Sequence, residues 1–237
     1  MLKKKKICIS IPLEEDEEIE KIEKEIEIIQ NEDEQALIEF RFDYLKEFKN
    51  IDIILEKISK YKNHSIYTIR STSEGGNFSK GETERLVLIK KLALSRPMLL
   101  DLEYNSISKN NELADFIDEN QVRILVSWHD FTGTPNKETL INLIDKMRIF
   151  SNFIKIVTTA KSIEDSITIL ELYSIIDTTI NLVAFSMGDL GIITRILCNI
   201  VGDCPFTYAT IDKAVAPGQL TRNQMKSIYT LFHNKLI

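Results

Sequence analysis

The chain alternates between two hydrophobic periods. Short runs of β-branched and aliphatic residues, in which every second position favours burial, are each followed by a longer stretch whose apolar residues recur at three- and four-residue spacing among Glu, Lys and Asp. The pattern predicts strands at 6–11, 36–42, 65–70, 98–102, 122–128, 153–158, 179–185 and 206–210. Between and after them it predicts helices at 14–30, 51–61, 82–94, 111–119, 137–150, 162–173, 190–201 and 224–232. No Pro/Gly/Ser-rich linker or low-complexity tract divides these units, which predicts one α/β domain over 1–237, a closed (β/α)8 TIM barrel. An open doubly wound sheet is the alternative. That architecture usually begins with a glycine-rich nucleotide turn, and Ser10-Ile11-Pro12 contains no glycine.

Composition narrows the picture. With 237 residues, 43% hydrophobic and 28% charged, the chain can fill one sizeable core. A formal net charge of −6 leaves no electrostatic footprint for nucleic acid, the basic run Lys3 to Lys6 reading as a solvated terminus. Cys8, Cys198 and Cys204 form no Cys-x-x-Cys and have no nearby histidine, so neither a disulfide framework nor a metal site is expected. No apolar run approaches the roughly 18 residues of a membrane span, and the basic start runs into an acidic helix rather than a signal-peptide core. A cytoplasmic protein is expected.

One residue breaks the strand pattern. In Phe-Ile-Lys-Ile-Val-Thr-Thr-Ala, 153–160, Lys155 shares a face with Phe153 and Val157, two residues that favour burial. Desolvation disfavours an ammonium, and a lysine brought to a pKa of roughly 7–8 becomes an amine nucleophile for a carbonyl. The plainer alternatives are a lysine that snorkels to solvent or pairs with a carboxylate.

The context favours chemistry, because polar residues gather where strands meet the following loops. Glu39-Phe40-Arg41-Phe42-Asp43 ends the second strand, Arg70 the third, Asp101 and Glu103 the fourth and His129 the fifth, while Arg195 opens the helix after the seventh. In a barrel this rim is where sites assemble. Each residue alone has a structural explanation, such as an ion-pair ladder through Glu39, Arg41 and Asp43 or a hydrogen-bonded core histidine. Together, an imine-forming amine, a histidine that moves protons and arginines that grip a carboxylate suit elimination or aldol chemistry beside a ketone. Pro217, Gly218 and Gln219 follow the last strand as a candidate lid. His64 and His233 lack such context and read as surface residues.

The series Glu39 to Asp43, Arg70 with Glu74-Gly75-Gly76, Ser127-Trp128-His129-Asp130-Phe131, Lys155-Ile156-Val157, Phe185-Ser186-Met187-Gly188 with Arg195, and Ala216-Pro217-Gly218-Gln219 resembles the motif series of type I 3-dehydroquinate dehydratase. The resemblance runs in the same order along nearly the whole chain. It implies a (β/α)8 homodimer that uses no cofactor and dehydrates 3-dehydroquinate to 3-dehydroshikimate on the route to aromatic amino acids. It implies that Lys155 forms the Schiff base, His129 acts as general base and acid, and Glu74 orients and charges that histidine. It further implies that Glu39, Arg41 and Arg70 hold ring hydroxyls, that Arg195 and Gln219 hold the carboxylate and close the lid, and that Ser10 faces the substrate. Val215 stands where the family commonly has serine, which puts one substrate contact in doubt. A class I aldolase-like barrel, or a catalytically silent barrel kept for binding, remains the alternative; the first typically has phosphate-binding loops that this sequence lacks.

Overall fold

The structure is a computed structural model that describes residues 6–14, 19–211 and 216–235. Its strands are β1 (Ile7–Pro12), β2 (Leu37–Arg41), β3 (Ser65–Thr68), β4 (Leu99–Glu103), β5 (Ile124–His129), β6 (Phe153–Thr159), β7 (Asn181–Met187) and β8 (Thr207–Thr210). The helices are α1 (Ile19–Glu32), α2 (Ile51–Ile58), α3 (Glu82–Leu94), the short α4 (Tyr104–Ile107), α5 (Asn111–Glu119), α6 (Lys137–Met147), α7 (Ile163–Ile175), α8 (Ile192–Val201) and α9 (Arg222–Lys235). Side-chain caps start several of them where the sequence supplies the donor–acceptor pair. Asn110 accepts from Leu113 N, Asn136 accepts from Thr139 N, and Ser162 with Asp165 forms a reciprocal capping box at α7.

The strands are parallel and ordered β7-β6-β5-β4-β3-β2-β1-β8. Among the described residues β7 and β8 share no ladder, so the barrel is nearly rather than fully closed. A side chain serves that edge instead: the Tyr173 hydroxyl of α7 accepts from Ala184 N at 2.7 Å and donates to Ala184 O at 2.8 Å. This gives β7 backbone groups a partner that no neighbouring strand provides.

Alternation along each strand divides the core in two. Ile9, Ile38, Phe40, Leu100, Val126, Ile154 and Ala184 point outward and pack under the helices. Cys8, Leu37, Ile66, Leu99, Leu125, Val183 and Phe206 point into the barrel and form an apolar floor. Burying an aliphatic side chain of this size contributes about 1.5–3 kcal/mol, and that floor supports a very different layer. Two residues further along the same strands lie Ser10, Glu39, Thr68, Asp101, Ser127 and Lys155, all buried. Two further again, Arg41, Arg70, Glu103 and His129 form the rim. The period of two thus carries the chain from hydrocarbon to ionic groups over one strand length.

Candidate active site

All nine side chains anticipated from the sequence, Ser10, Glu39, Arg41, Arg70, Glu74, His129, Lys155, Arg195 and Gln219, line one cavity at the C-terminal end of the strands. Thr68, Phe131, Phe185, Met187 and Tyr208 line it with them. Val215 lies outside the described residues, as does the structure of the four residues before Ala216.

Lys155 is buried, at 6% exposure, but its surroundings differ from the apolar pocket expected. Nζ donates to Asp101 Oδ2 at 2.9 Å, lies 3.7 Å from Glu39 Oε1, and sits 4.4 Å from the centroid of the Tyr208 ring. The carboxylate pairing weighed as the plainer alternative is therefore present in a lysine that also faces the cavity. Glu39 is fixed from both sides, accepting from Ser10 Oγ at 2.7 Å and from Thr68 Oγ1 at 2.9 Å. Asp101 accepts Ser127 Oγ and Arg70 Nη2, both at 2.6 Å. Burial alone would raise the Asp101 carboxyl, but the Arg70 and Lys155 charges outweigh it and hold Asp101 well below the carboxylate range.

The ladder suggested for Glu39, Arg41 and Asp43 resolves into a two-membered pair. Arg41 grips Asp43 bidentately, at 2.8 and 2.7 Å, whereas Glu39 turns to Lys155. Arg70 is the hub of the rim. Besides Asp101 it donates to Ser127 Oγ at 2.8 Å and lies 3.5 Å from Glu103 and 3.6 Å from Glu74. Burial works against its charge, but the surrounding acids, Asp101 foremost, more than compensate and hold the guanidinium above its ordinary range.

Glu74 reaches the cavity through a tight turn, Thr72–Glu74, closed by Gly75 at φ 74°. A Cβ at Gly75 would also fall 2.0 Å from the tip of the exposed Phe131 ring, which would have to move aside, and the positive φ is what calls for glycine here. Glu74 Oε2 lies 3.0 Å from His129 Nδ1, and Asn105 Nδ2 donates to Oε1 at 3.1 Å. Burial pushes Glu74 up to about 7; Arg70 opposes this and Glu103 reinforces it. His129 goes the opposite way, driven well below 6.5 by burial and by the Arg70 and Lys155 charges. The 3.0 Å contact with Glu74 fixes the orientation of the ring, while burial and the neighbouring cations work against its charged form.

Arg195 is the exception among the cavity's cations. It is 2% exposed and makes no ion pair among the described residues. Nη2 donates to Pro217 O at 3.3 Å, the guanidinium sits 4.3 Å from the Phe185 ring centroid, and Nε is buried without a hydrogen-bond partner. Burial lowers it to about 10.

Sequence reasoning assigned no role to Thr68, Ser127 or Tyr208. A signal existed for the first two, each standing two positions before a rim residue already singled out, Arg70 and His129, on the same inward face.

Comparison with known proteins agrees with this geometry. A family model described as type I 3-dehydroquinase matches residues 7–236. The chain is 36% identical to a 3-dehydroquinate dehydratase of Pyrococcus abyssi over 81% of this chain and 85% of that protein. It is 37% identical to one of Methanocaldococcus jannaschii over 84% and 88%. The crystal structure of 3-dehydroquinate dehydratase from Geobacillus kaustophilus superposes with a TM-score of 0.82 at 26% identity, covering 98% of this chain and 92% of that one. A nearly closed eight-stranded barrel, one polar cavity and these matches lead to one assignment: the chain belongs to the type I 3-dehydroquinase family.

Proposed function

We propose that the chain dehydrates 3-dehydroquinate to 3-dehydroshikimate through a Schiff base on Lys155. The observation that carries this reading is Arg195, a buried cation whose Nε finds no partner among the described residues and which shares a cavity with Lys155 and His129. A buried charge without a partner is costly unless a ligand completes it. A carboxylate is the complement of a guanidinium fork, and the substrate carries one.

With the carboxylate on Arg195, the substrate ketone is directed to Lys155. Attack requires the unprotonated amine, and Asp101 and Glu39, in contact with Nζ, hold it in place facing the cavity. The carbinolamine loses its hydroxyl as water and leaves an iminium, which acidifies the adjacent carbon. His129 uses Nε2 for that proton because Nδ1 is engaged by Glu74. The resulting enamine expels the ring hydroxyl, His129 returns the proton to it as water leaves, and hydrolysis of the conjugated iminium frees product and Lys155. One water is lost overall, and no redox step arises. Arg41, Arg70, Glu39 and Ser10 hold the ring hydroxyls, and Gln219 closes over the carboxylate. No cofactor is called for by these steps. The proposal includes a homodimer, read by light scattering, in a cytoplasmic setting; no helix among the described residues is long and apolar enough to cross a membrane.

The test is turnover of 3-dehydroquinate, followed by the ultraviolet absorbance of the conjugated enone, in the wild type and in Arg195→Lys. The wild type should turn over, and the variant should lose most of kcat/KM because ammonium keeps the charge but not the fork. A wild type without turnover refutes the reading.

A further inference from the structure

We propose that Arg85, on helix α3 outside the barrel, is a positioning residue for the Glu74–His129 pair, acting through Glu103 and the end of β3. The inference rests on the reading that His129 is the proton-transfer group.

Arg85 is anomalous for a helix on the barrel exterior. It is 2% exposed, and its guanidinium reaches inward to the end of the sheet. It lies 3.1 Å from Glu103 Oε2, donates to the backbone carbonyl of Ile69 at 3.0 Å, and is held from outside by Glu82 at 2.8 and 2.9 Å and by Ser106. Both inner contacts bear on the site. Ile69 immediately precedes Arg70, so its carbonyl fixes the point from which Arg70 and the Glu74 turn depart. Glu103 accepts Ser71 N at 2.8 Å and Ser71 Oγ at 2.9 Å, fixing the same turn from the other side, and faces Arg70 at 3.5 Å. One guanidinium therefore anchors the chain carrying Glu74 and offsets the charge of a carboxylate that acts on Glu74.

The charged and titratable groups facing Glu74 are Arg70 from the loop after β3, Asp101 and Glu103 from β4, and His129 from β5, with Asn105 of α4 as a neutral donor. Glu103 makes Glu74 hold its proton to higher pH, and Arg85 opposes Glu103. When Glu74 is ionised it accepts Nδ1–H and leaves Nε2 as the base; when protonated it donates to Nδ1 and spoils that tautomer. The acid limb of kcat/KM consequently reports the Glu74 proton.

The experiment is the pH profile of kcat/KM with 3-dehydroquinate for the wild type, Arg85→Gln, Glu103→Gln, the double variant and Arg85→Lys. Arg85→Gln should move the acid limb up and Glu103→Gln should move it down, each by roughly half to one pH unit, the size expected for one buried charge several Å away. The double variant should return the limb toward the wild-type position, and Arg85→Lys should keep the limb while lowering the melting temperature. A merely structural staple would lower stability or activity without moving the limb in opposite directions. Single variants that move the limb the same way, or not at all, overturn the proposal. If Arg85→Gln does not fold, Glu103→Gln decides alone, a limb that stays or rises being the refuting result. A wild type without turnover fails the functional reading itself; wild-type turnover with unmoved limbs fails only the role of Arg85.

Discussion

Glu74→Gln separates the cost of a buried carboxylate from its use. Glu74 is 4% exposed and raised from 4.5 to about 7, so ionising it inside the protein opposes folding by about 3 kcal/mol at high pH. The sign follows from which form burial penalises. At pH below 4.5 the group is protonated in both folded and unfolded chains and contributes no difference. As pH rises from 4.5 through about 7 the unfolded chain gives up its proton first, and stability is lost across that window. Glutamine keeps the shape and one carbonyl oxygen for Nδ1–H of His129, but it never ionises. His129, lowered rather than raised, supplies stability above 6.5 that fades as pH falls, and this largely cancels between the two proteins. Thermal unfolding from pH 4 to 9 should show coincident melting temperatures at the acid end and a gap in favour of Glu74→Gln that opens to roughly 5–10 °C above pH 8. The wild-type kcat/KM should rise with pH through about 7, and that limb should be absent in the variant. A gap that stays constant with pH, or opens at the acid end, would show that Glu74 is not the buried, proton-holding group described.

Other consequences can be checked singly. Arg195→Met removes a buried guanidinium that has no ion pair among the described residues, so its melting temperature at pH 7 should hold or rise while substrate affinity falls by roughly a hundredfold or more. Arg195→Lys should lose kcat/KM heavily, whereas Arg148→Lys, half-exposed beside Asp145, should change it little. His129→Ala should lower turnover by roughly 10²–10⁴ and let the covalent intermediate accumulate. Asp101→Asn leaves Arg70 and Lys155 facing each other across an amide, and should destabilise the fold by about 3–5 kcal/mol as read by urea unfolding.

Much of this molecule was legible in its strand periodicity. Counting in twos from Lys155, Arg70 and His129 already separates the inward face from the outward one, and the apolar residues before them mark the floor. Less was legible where local pattern and tertiary contact diverge. The helix expected over 51–61 ends at Ile58 and tightens into the turn Ser59–His64, a change of hydrogen bonding that the apolar spacing does not report. The strand expected to reach Arg70 stops at Thr68, because Arg70 and the residues after it are held by Asp101 and Glu103 of β4 rather than by a ladder. The surroundings of Lys155 were hidden for the same reason: Asp101 is 54 positions away, and only closure of the sheet brings it to Nζ. Arg85 was invisible, since a charged residue on an outer helix reads as a solvated face until its partners at 69 and 103 are known.

The central claim is that Lys155 forms a covalent bond with the substrate ketone. Mass spectrometry after borohydride reduction in the presence of 3-dehydroquinate measures it directly, with peptide mapping to locate the adduct. One adduct per chain, on the peptide containing Lys155 and absent from Lys155→Arg, is the expected result. Turnover without a trappable adduct, or an adduct on another lysine that persists in Lys155→Arg, would contradict the account.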